Sequence, residues 1–127
     1  MKQQNRIMLE TACAVAKKTR SKGVLLYGDI IGDYEALSAI GQEKQVELIL
    51  AIRDESSFQE AASIFKKVLR IPDVPLGRIN QIKMAIVQAI SKGLVKKGEK
   101  WICLSGIPQT KVLDSLIMLE FGKEFEI

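Results

Sequence analysis

The sequence predicts an α/β fold: a three-layer α/β/α sandwich built around a five-stranded mixed sheet. Helix-like and strand-like hydrophobic periods alternate along the chain, as is typical of a mostly parallel sheet. The strand-like runs are continuously apolar, as expected for strands that helices cover on both faces. About seven residues join the last two runs, too few for a helical crossover, so the fifth strand is predicted to be antiparallel.

The first half of the chain is predicted to form two helices and two strands. The first helix spans 3–22 and ends before Gly23. Four of its side chains share the face that we predict to be buried: Ile7, Thr11, Ala14 and Val15. The apolar runs 23–29 and 46–52 are the strands. Between them, Asp33 is predicted to cap a helix that closes at Gly41 and has an apolar face of Ala36, Leu37 and Ile40.

The second half is predicted to form two helices and three strands. Ser57 and Glu60 have the spacing of a capping box, which would open the third helix. Its inward residues are predicted to be Phe58, Ala61, Ala62 and Phe65. The fourth helix, 77–92, has the clearest helical period, with Gly93 as its exit and an apolar face of Ile79, Ile82, Ile86, Ala89 and Ile90. The strands are predicted at 67–71, 100–105 and 112–121.

The composition indicates one globular domain spanning residues 1–127. Apolar residues make up 47% of the chain and charged residues 27%, which is ordinary for a folded protein. The chain lacks a run of eighteen apolar residues, and its first residues, MKQQNRIMLE, have no hydrophobic segment of the signal-peptide kind. We therefore expect a cytoplasmic protein that does not interact with membranes.

The sequence contains no histidine and only two cysteines, Cys13 and Cys103. Without histidine there is no His-assisted nucleophile, no His proton shuttle and no zinc site that uses imidazole. Both cysteines lie among apolar neighbours, which favours reduced core thiols over a disulfide. We therefore expect no catalytic residue, no metal site, no cofactor and no activity of the chain alone.

The net charge of +4 is modest, and its densest cluster lies where the first helix is predicted to end. The cluster consists of Lys17, Lys18, Arg20 and Lys22. Cations in a last helical turn offset the negative end of the helix dipole. Aromatic residues are only 6% of the chain and do not alternate with basic ones, as a stacking platform for bases would require. We expect a solvated helix end and no nucleic-acid partner.

Ligands of open α/β sheets bind beyond the carboxyl ends of the strands, near the point where the strand order reverses. Four loops are predicted to lie at this edge: 28–33, 53–57, 72–77 and 105–111. The candidate ligand-binding residues in them are Gly28, Asp29, Asp33, Arg53, Ser105, Gly106 and Thr110.

These loops do not match the standard phosphate-binding patterns. The loop SGIPQTK has one glycine, and its proline removes an N–H that a phosphate nest needs. The loop GDIIGD has two glycines but also Asp29 and Asp33, which would repel a phosphate unless a metal intervened. Gly28 and Gly106 are equally well explained as sharp strand exits, and Asp33 as a helix cap. The turn after the fourth strand is therefore interpreted as architecture rather than chemistry.

The segment AISKGLVKKGEKWICLSGIPQT…VLDSLIMLEF resembles the end of the pyruvate kinase C-terminal domain. The matching residues run from Gly93 to Glu99, through the strand Trp101–Leu104, to Ser105 and Gly106. This resemblance implies the strand order 3-2-1-4-5, an antiparallel fifth strand and a regulatory rather than catalytic role. In some members of that family, loops after the first and last strands hold a phosphorylated sugar. GDIIGD departs from the Ser/Thr/Gly-rich effector loop, so those effector residues are not carried over.

The final segment, LVKKGEKWICLSGIPQTKVLDSLIMLEFGKEFEI, is also similar to the end of the N-terminal domain of archaeal-type diadenylate cyclases. The Asp-Gly-Ala and Arg-His-Arg motifs of the cyclase itself are missing. The resemblance implies a companion domain of an enzyme that makes a cyclic dinucleotide.

Three hypotheses for function follow. The first is a non-catalytic regulatory or interaction domain associated with a diadenylate cyclase. The second is a small-molecule sensor that binds an anionic metabolite or a nucleotide at 28–33 and 105–110. The third is a Mg²⁺-dependent phosphoryl-transfer enzyme that uses Asp29 and Asp33.

The C-terminal region also predicts association with a partner. Phe121, Phe125 and Ile127 share one strand parity and form an apolar stripe. That stripe, Trp101 and the edge strand ending in LEF would need a covering surface. The partner is expected to be a second copy or an adjoining C-terminal domain.

Overall fold

The computed structural model describes residues 1–74 and 77–122. Four helices and five strands alternate along these residues. They are α1 Gln3–Lys18, β1 Gly23–Tyr27, α2 Tyr34–Lys44, β2 Glu47–Ile52, α3 Glu55–Ala62, β3 Val68–Arg70, α4 Arg78–Ser91, β4 Lys100–Ser105 and β5 Ser115–Glu120. The loop predicted at 72–77 is therefore described only in part, and Phe125 and Ile127 lie outside the described residues.

The five strands form one sheet in the order β3-β2-β1-β4-β5. The first four are parallel, with Gly23 of β1 beside Glu47 of β2 and Trp101 of β4. β5 runs antiparallel to β4, with Lys100 opposite Glu120. The predicted α/β class, strand order and antiparallel fifth strand are confirmed.

The helices cover the sheet on both faces. Right-handed crossovers place α2 and α3 on one face and α4, which returns the chain across the sheet to β4, on the other. α1 packs on β1 and β4 beside α2, where Glu10 and Lys44 form an ion pair of 3.6 Å. This is the three-layer arrangement that the alternating sequence pattern predicts.

The core is centred on β1, β2 and β4. All of β1 is buried, and in β2 and β4 only the first residue is exposed. Trp101, which is 1% exposed, stacks on the equally buried Phe121 with 6.5 Å between the ring centroids. The prediction that Trp101 and the end of the LEF segment offer apolar surface is therefore wrong, because this pair closes the core at the amino end of β4.

The face of α1 that contacts the sheet differs from the predicted one. Its buried residues are Asn5, Leu9, Ala12, Cys13 and Ala16. Ile7 is 53% exposed on the opposite side, and Thr11 and Ala14 are exposed with it. The buried face combines Leu9 with the small residues Ala12, Cys13 and Ala16, which let α1 approach the sheet closely.

Three predicted helix details are also wrong. Helix α3 begins at Glu55, where the Asp54 side chain accepts from Ser57 N–H at 2.9 Å, so Ser57 is not the N-cap. Helix α2 continues through Gly41, where a Cβ atom would lie 2.8 Å from Leu48 Cδ1. This glycine therefore allows the helix to pack closely on the sheet, and it does not end the helix. Ile79 is exposed at the start of α4.

Both cysteines are free and buried, as predicted. Burial raises the pKa of the Cys13 thiol and raises that of Cys103 to about 12. None of the helices in the described residues is both long enough and apolar enough to span a bilayer.

Candidate functional site

The topological switch point lies between the carboxyl ends of β1 and β4. From β1 the chain continues on the β2 side of the sheet, whereas β4 lies on the other side and leads to β5. A crevice between two such ends is where open α/β sheets bind ligands. The segments that border it are 28–33 and 106–114.

The N-terminal end of α1 also reaches this crevice, because Asn5 holds it there. The buried amide of Asn5 donates from Nδ2 to Lys111 O at 3.0 Å, and its Oδ1 accepts from Leu113 N–H at 2.7 Å. Gln4 Nε2 adds a bond to Leu113 O at 3.2 Å. Helix α1 and the segment 106–114 are thereby joined at a fixed position.

A pocket of about 190 Å³ opens between these segments. Its lining consists of Lys2, Asn5, Asp29, Ile30, Ile31, Gly32 and Lys111. Lys2 Nζ donates to Thr110 O at 3.0 Å, and Lys111 Nζ donates to Asp29 O at 3.3 Å. Both acceptors are neutral carbonyl groups, and within the described residues neither ammonium forms an ion pair. Two positive charges therefore converge on one pocket.

The start of α1 adds to this positive field. Its N-cap residue is Lys2, no side chain caps the first turn, and that turn has no acidic residue. The first N–H groups of a helix have no partner inside the helix, and the dipole concentrates positive potential there. An anion in the pocket would meet both kinds of donor.

Asp29 lines the pocket, but its carboxylate is used elsewhere. Its two oxygens accept from the backbone N–H groups of Arg53 at 2.6 Å and of Asp54 at 3.0 Å. The side chain thus ties the exit of β1 to the exit of β2. The two amide dipoles stabilise its negative charge, and its oxygens are directed at the start of α3 rather than at Lys111.

Asp33 and Arg53 do not join the pocket either. Asp33 caps α2, as predicted, by accepting from Ala36 N–H at 3.1 Å. Arg53 points toward the β3 side, where its Nε lies 3.1 Å from Asp73 and its Nη1 donates to Val74 O. The carboxylates of Asp29 and Asp33 therefore accept from different backbone N–H groups. Residues 1–74 and 77–122 hold no cluster of three or more acidic or cysteine side chains suited to a metal.

The turn after β4 serves the fold. Ser105 is buried, and its hydroxyl faces a cavity of about 10 Å³ under α4 on the other face of the sheet. A Cβ on Gly106 would lie 2.1 Å from Val112 O, so only glycine fits there. The Thr110 hydroxyl donates to Ile107 O at 2.8 Å. Only the carbonyl of Thr110 contacts a pocket residue, by accepting from Lys2 Nζ. Gly28 packs closely against Ile52.

Two of the four predicted loops, 28–33 and 105–111, border this pocket, but most of the predicted side chains do not line it. Of the predicted residues, only Asp29 lines the pocket, and Thr110 touches it through Lys2. Sequence reasoning missed Lys2, Asn5 and Lys111. Lys111 belongs to the SGIPQTK loop and could have been named as its one cation, whereas Lys2 and Asn5 reach the loop only through the packing of α1.

A larger open groove of about 370 Å³ lies at the opposite, amino edge of the strands. It runs between the end of α2 and the segment after α3, and Ser38, Gln42, Phe65 and Lys66 are among its lining residues. Of its described lining residues, one is a cation, and none belongs to the first turn of a helix. The switch-point pocket is the better candidate site.

A family model described as "Probable sensor domain DacZ_P" matches residues 4–126. The chain belongs to this family. The DacZ_P domain is a sensor domain of the diadenylate cyclase DacZ, so this chain is a non-catalytic regulatory domain associated with a cyclase. A search of curated proteins gave no match.

Proposed function

We propose that this DacZ_P domain senses a small anionic metabolite or nucleotide through the switch-point pocket and regulates the cyclase with which the family is associated. The observation that carries the proposal is the convergence of Lys2, Lys111 and the uncapped start of α1 on one pocket. The anionic part of a ligand would lie in the pocket beside the ammonium groups of Lys2 and Lys111. Each would then exchange a bond to a neutral carbonyl for a stronger bond to an oppositely charged group.

The size of the pocket limits the ligand. At about 30 Å³ per water molecule, 190 Å³ holds about six waters. This is below the range of about 300–1,000 Å³ that is common for drug-sized ligands. A phosphate or carboxylate with a short body fits, or one phosphoryl end of a nucleotide whose remainder lies outside.

The pocket favours binding over turnover. Among the described residues, its lining has no hydroxyl or thiol nucleophile, and the one carboxylate there is held by two backbone amides. A ligand would bridge α1 and the segment 106–114, which Asn5 already joins. Occupancy would therefore be reported through the position of α1, and we propose an adjoining cyclase domain as the partner that reads it. We also propose that the domain is related to the pyruvate kinase C-terminal domain and that it lies in the cytoplasm.

Thermal shift and calorimetry with inorganic phosphate, pyrophosphate, phosphosugars and AMP test the proposal. A ligand that binds only the folded chain raises its Tm in proportion to RT ln(1 + [L]/Kd). We expect a saturable rise for at least one of these anions. Removing one charge-assisted bond with Lys111→Gln should weaken binding about tenfold to a hundredfold.

Lys92→Gln is the matched control, because Lys92 is an exposed lysine at the end of α4, on the far edge of the sheet. It should bind like the unmodified chain. Failure of every anion to shift the Tm, or equal losses in Lys111→Gln and Lys92→Gln, would overturn the proposed pocket. Formation of a cyclic dinucleotide from ATP and Mg²⁺ by the chain alone would contradict its non-catalytic role.

A further inference from the structure

The connections that enter β1 and β4 lie at the amino edge of the sheet, and they carry an excess of positive charge. One group of cations lies at the end of α1 and in the residues that lead into β1. The other lies between α4 and β4 and at the first residue of β4. Together they form a surface that we name the basic patch: Lys17, Lys18, Arg20, Lys22, Lys96, Lys97 and Lys100. All of these side chains are exposed.

Contacts of Lys22 join the two groups of cations. Its N–H donates to Lys100 O at 2.8 Å, and its Nζ lies 3.9 Å from Glu99 Oε2. The other Glu99 oxygen accepts from Lys96 N–H at 2.8 Å, so this carboxylate also serves the fold of the connection. Glu120 lies opposite Lys100 in the sheet. In the part of the chain that the structure describes, Lys22 is the one member of the basic patch that forms an ion pair, so most of the charge is unbalanced.

The carboxyl edge of the sheet is different, because three of its arginines are each paired with a carboxylate. These pairs are Arg53 with Asp73, Arg70 with Glu55 and Arg78 with Asp114.

The helix dipole accounts for only part of the basic patch. Lys17 and Lys18 lie in the last turn of α1, where cations offset the negative end of the dipole. Lys96 and Lys97 lie beyond the end of α4 at Ser91, so that explanation does not apply to them. Like charges that share a surface repel each other and destabilise the compact state. An unbalanced patch of this kind is typical of a surface that meets an anionic partner.

The surroundings of the basic patch favour a protein as that partner. The large apolar side chains that are exposed in the described residues lie outside the connections that enter the strands. Trp101 and Phe121 lie at this edge, but both are buried and stack on each other. Binding at a bilayer surface uses exposed apolar side chains beside the cations, and binding of single-stranded nucleic acid uses exposed aromatic rings. An acidic protein surface needs neither of them.

We propose that the basic patch docks an acidic surface on the catalytic domain of the diadenylate cyclase with which this family is associated. The identity of the partner rests on the proposed function, whereas the location of the surface does not depend on the ligand pocket. The path of the chain supports this partner. Strand β5 ends at the amino edge, and a Cβ on Gly122 would lie 2.8 Å from Lys97 Cγ. A domain joined through residues 123–127 would therefore be attached beside the basic patch.

Helix α1 connects the basic patch with the switch-point pocket. Lys2 borders the pocket at the start of this helix, and Lys17 and Lys18 belong to the patch at its end. At 1.5 Å per residue, its 16 residues span about 24 Å. Lys96 and Lys100 belong to the connection into β4 and to β4 itself. A shift of α1 on anion binding would therefore change the spacing between the two groups of cations that the partner contacts.

Calorimetry with the 127-residue chain and a separately purified DacZ catalytic domain, at several NaCl concentrations, tests the docking. Salt screens exposed charges, so the affinity should fall about tenfold or more between about 50 and 300 mM NaCl. Lys96→Glu and Lys18→Glu should each weaken binding about tenfold at low salt. Lys66→Glu is the matched control, because Lys66 is an exposed lysine between α3 and β3, outside the basic patch. It changes the net charge equally and should bind like the unmodified chain.

The absence of binding to the catalytic domain overturns the proposal, as do equal affinities of Lys96→Glu and Lys66→Glu or an affinity that salt does not change. Tighter binding to a duplex RNA or to vesicles that contain phosphatidylserine also overturns it, because the partner would then be of another class. The pocket is tested separately. Lys96→Glu should keep the rise in Tm with anions, and Lys111→Gln should keep the docking without them. Docking that depends on the patch, in a chain whose Tm no anion raises, would refute the pocket and support the basic patch.

Discussion

Replacing Asp29 by asparagine tests whether this carboxylate is a structural tie, as the structure shows, or a ligand group. Its two oxygens accept from the N–H groups of Arg53 and Asp54 and hold together the exits of β1 and β2. Asparagine keeps one acceptor oxygen but sets an NH₂ group against the second N–H. One charge-assisted bond is lost, and two donors are forced together.

The magnitude follows from the bonds involved. A hydrogen bond to a charged group contributes about 1.5–3 kcal/mol, and leaving a partly buried N–H without a partner adds to the loss. We expect Asp29→Asn to lower the free energy of unfolding by about 2–3 kcal/mol. For a domain of this length, one kcal/mol changes the Tm by roughly 3–5 °C, so the Tm should fall by about 6–15 °C.

Urea and thermal unfolding, followed by circular dichroism, measure this change. Asp73→Asn is the control, because Asp73 is an exposed carboxylate whose ion pair with Arg53 lies on the surface. Surface pairs contribute about 0–1 kcal/mol, so this variant should be close to the unmodified chain. Equal stability of Asp29→Asn and Asp73→Asn would refute the assignment of Asp29 as a tie between strands.

Two further predictions concern β4 and the turn that follows it. Gly106→Ala places a Cβ 2.1 Å from Val112 O, so in urea titrations it should lower the free energy of unfolding by about 2 kcal/mol or more. Gly77→Ala is the control, because the Cβ would have open space around it, and it should lower the free energy of unfolding by about 1 kcal/mol or less. Burial raises the pKa of Cys103 from 9.0 to about 12, so above pH 9 the unfolded chain loses this proton first and stability should fall between pH 9 and 12. The slope from this thiol is at most about 1.4 kcal/mol per pH unit, and Cys103→Ala should remove that part of it. A Gly106→Ala chain as stable as Gly77→Ala, or an identical alkaline slope in Cys103→Ala, would contradict these two expectations.

The sheet could be predicted from the sequence because its signal is local and strong. The runs in β1, β2 and β4 are apolar at every central position, and only burial on both faces calls for that pattern. The antiparallel sense of β5 follows from the short connection after β4, whatever its residues are. These features follow from chain geometry, so they can be predicted without knowledge of side-chain packing.

The buried face of α1 could not be predicted in the same way. Two faces of this helix compete: one has Ile7, and the other has Leu9 among small residues. Periodicity alone does not choose between Ile7 and Leu9, which have the same size. Close approach to the sheet favours the face with small residues, and that preference becomes visible only when the sheet is in place.

In the candidate site, too, topology could be predicted from the sequence, whereas the packing of side chains could not. Topology alone places the loops 28–33 and 105–111 together at the switch point, and the structure shows them there. Within these loops, side chains such as Asp29 and Gly106 serve the strand exits, and their local pattern looks the same whether they bind a ligand or shape a turn. The cations come from Lys2 and Lys111, which are brought together by Asn5 across most of the chain length.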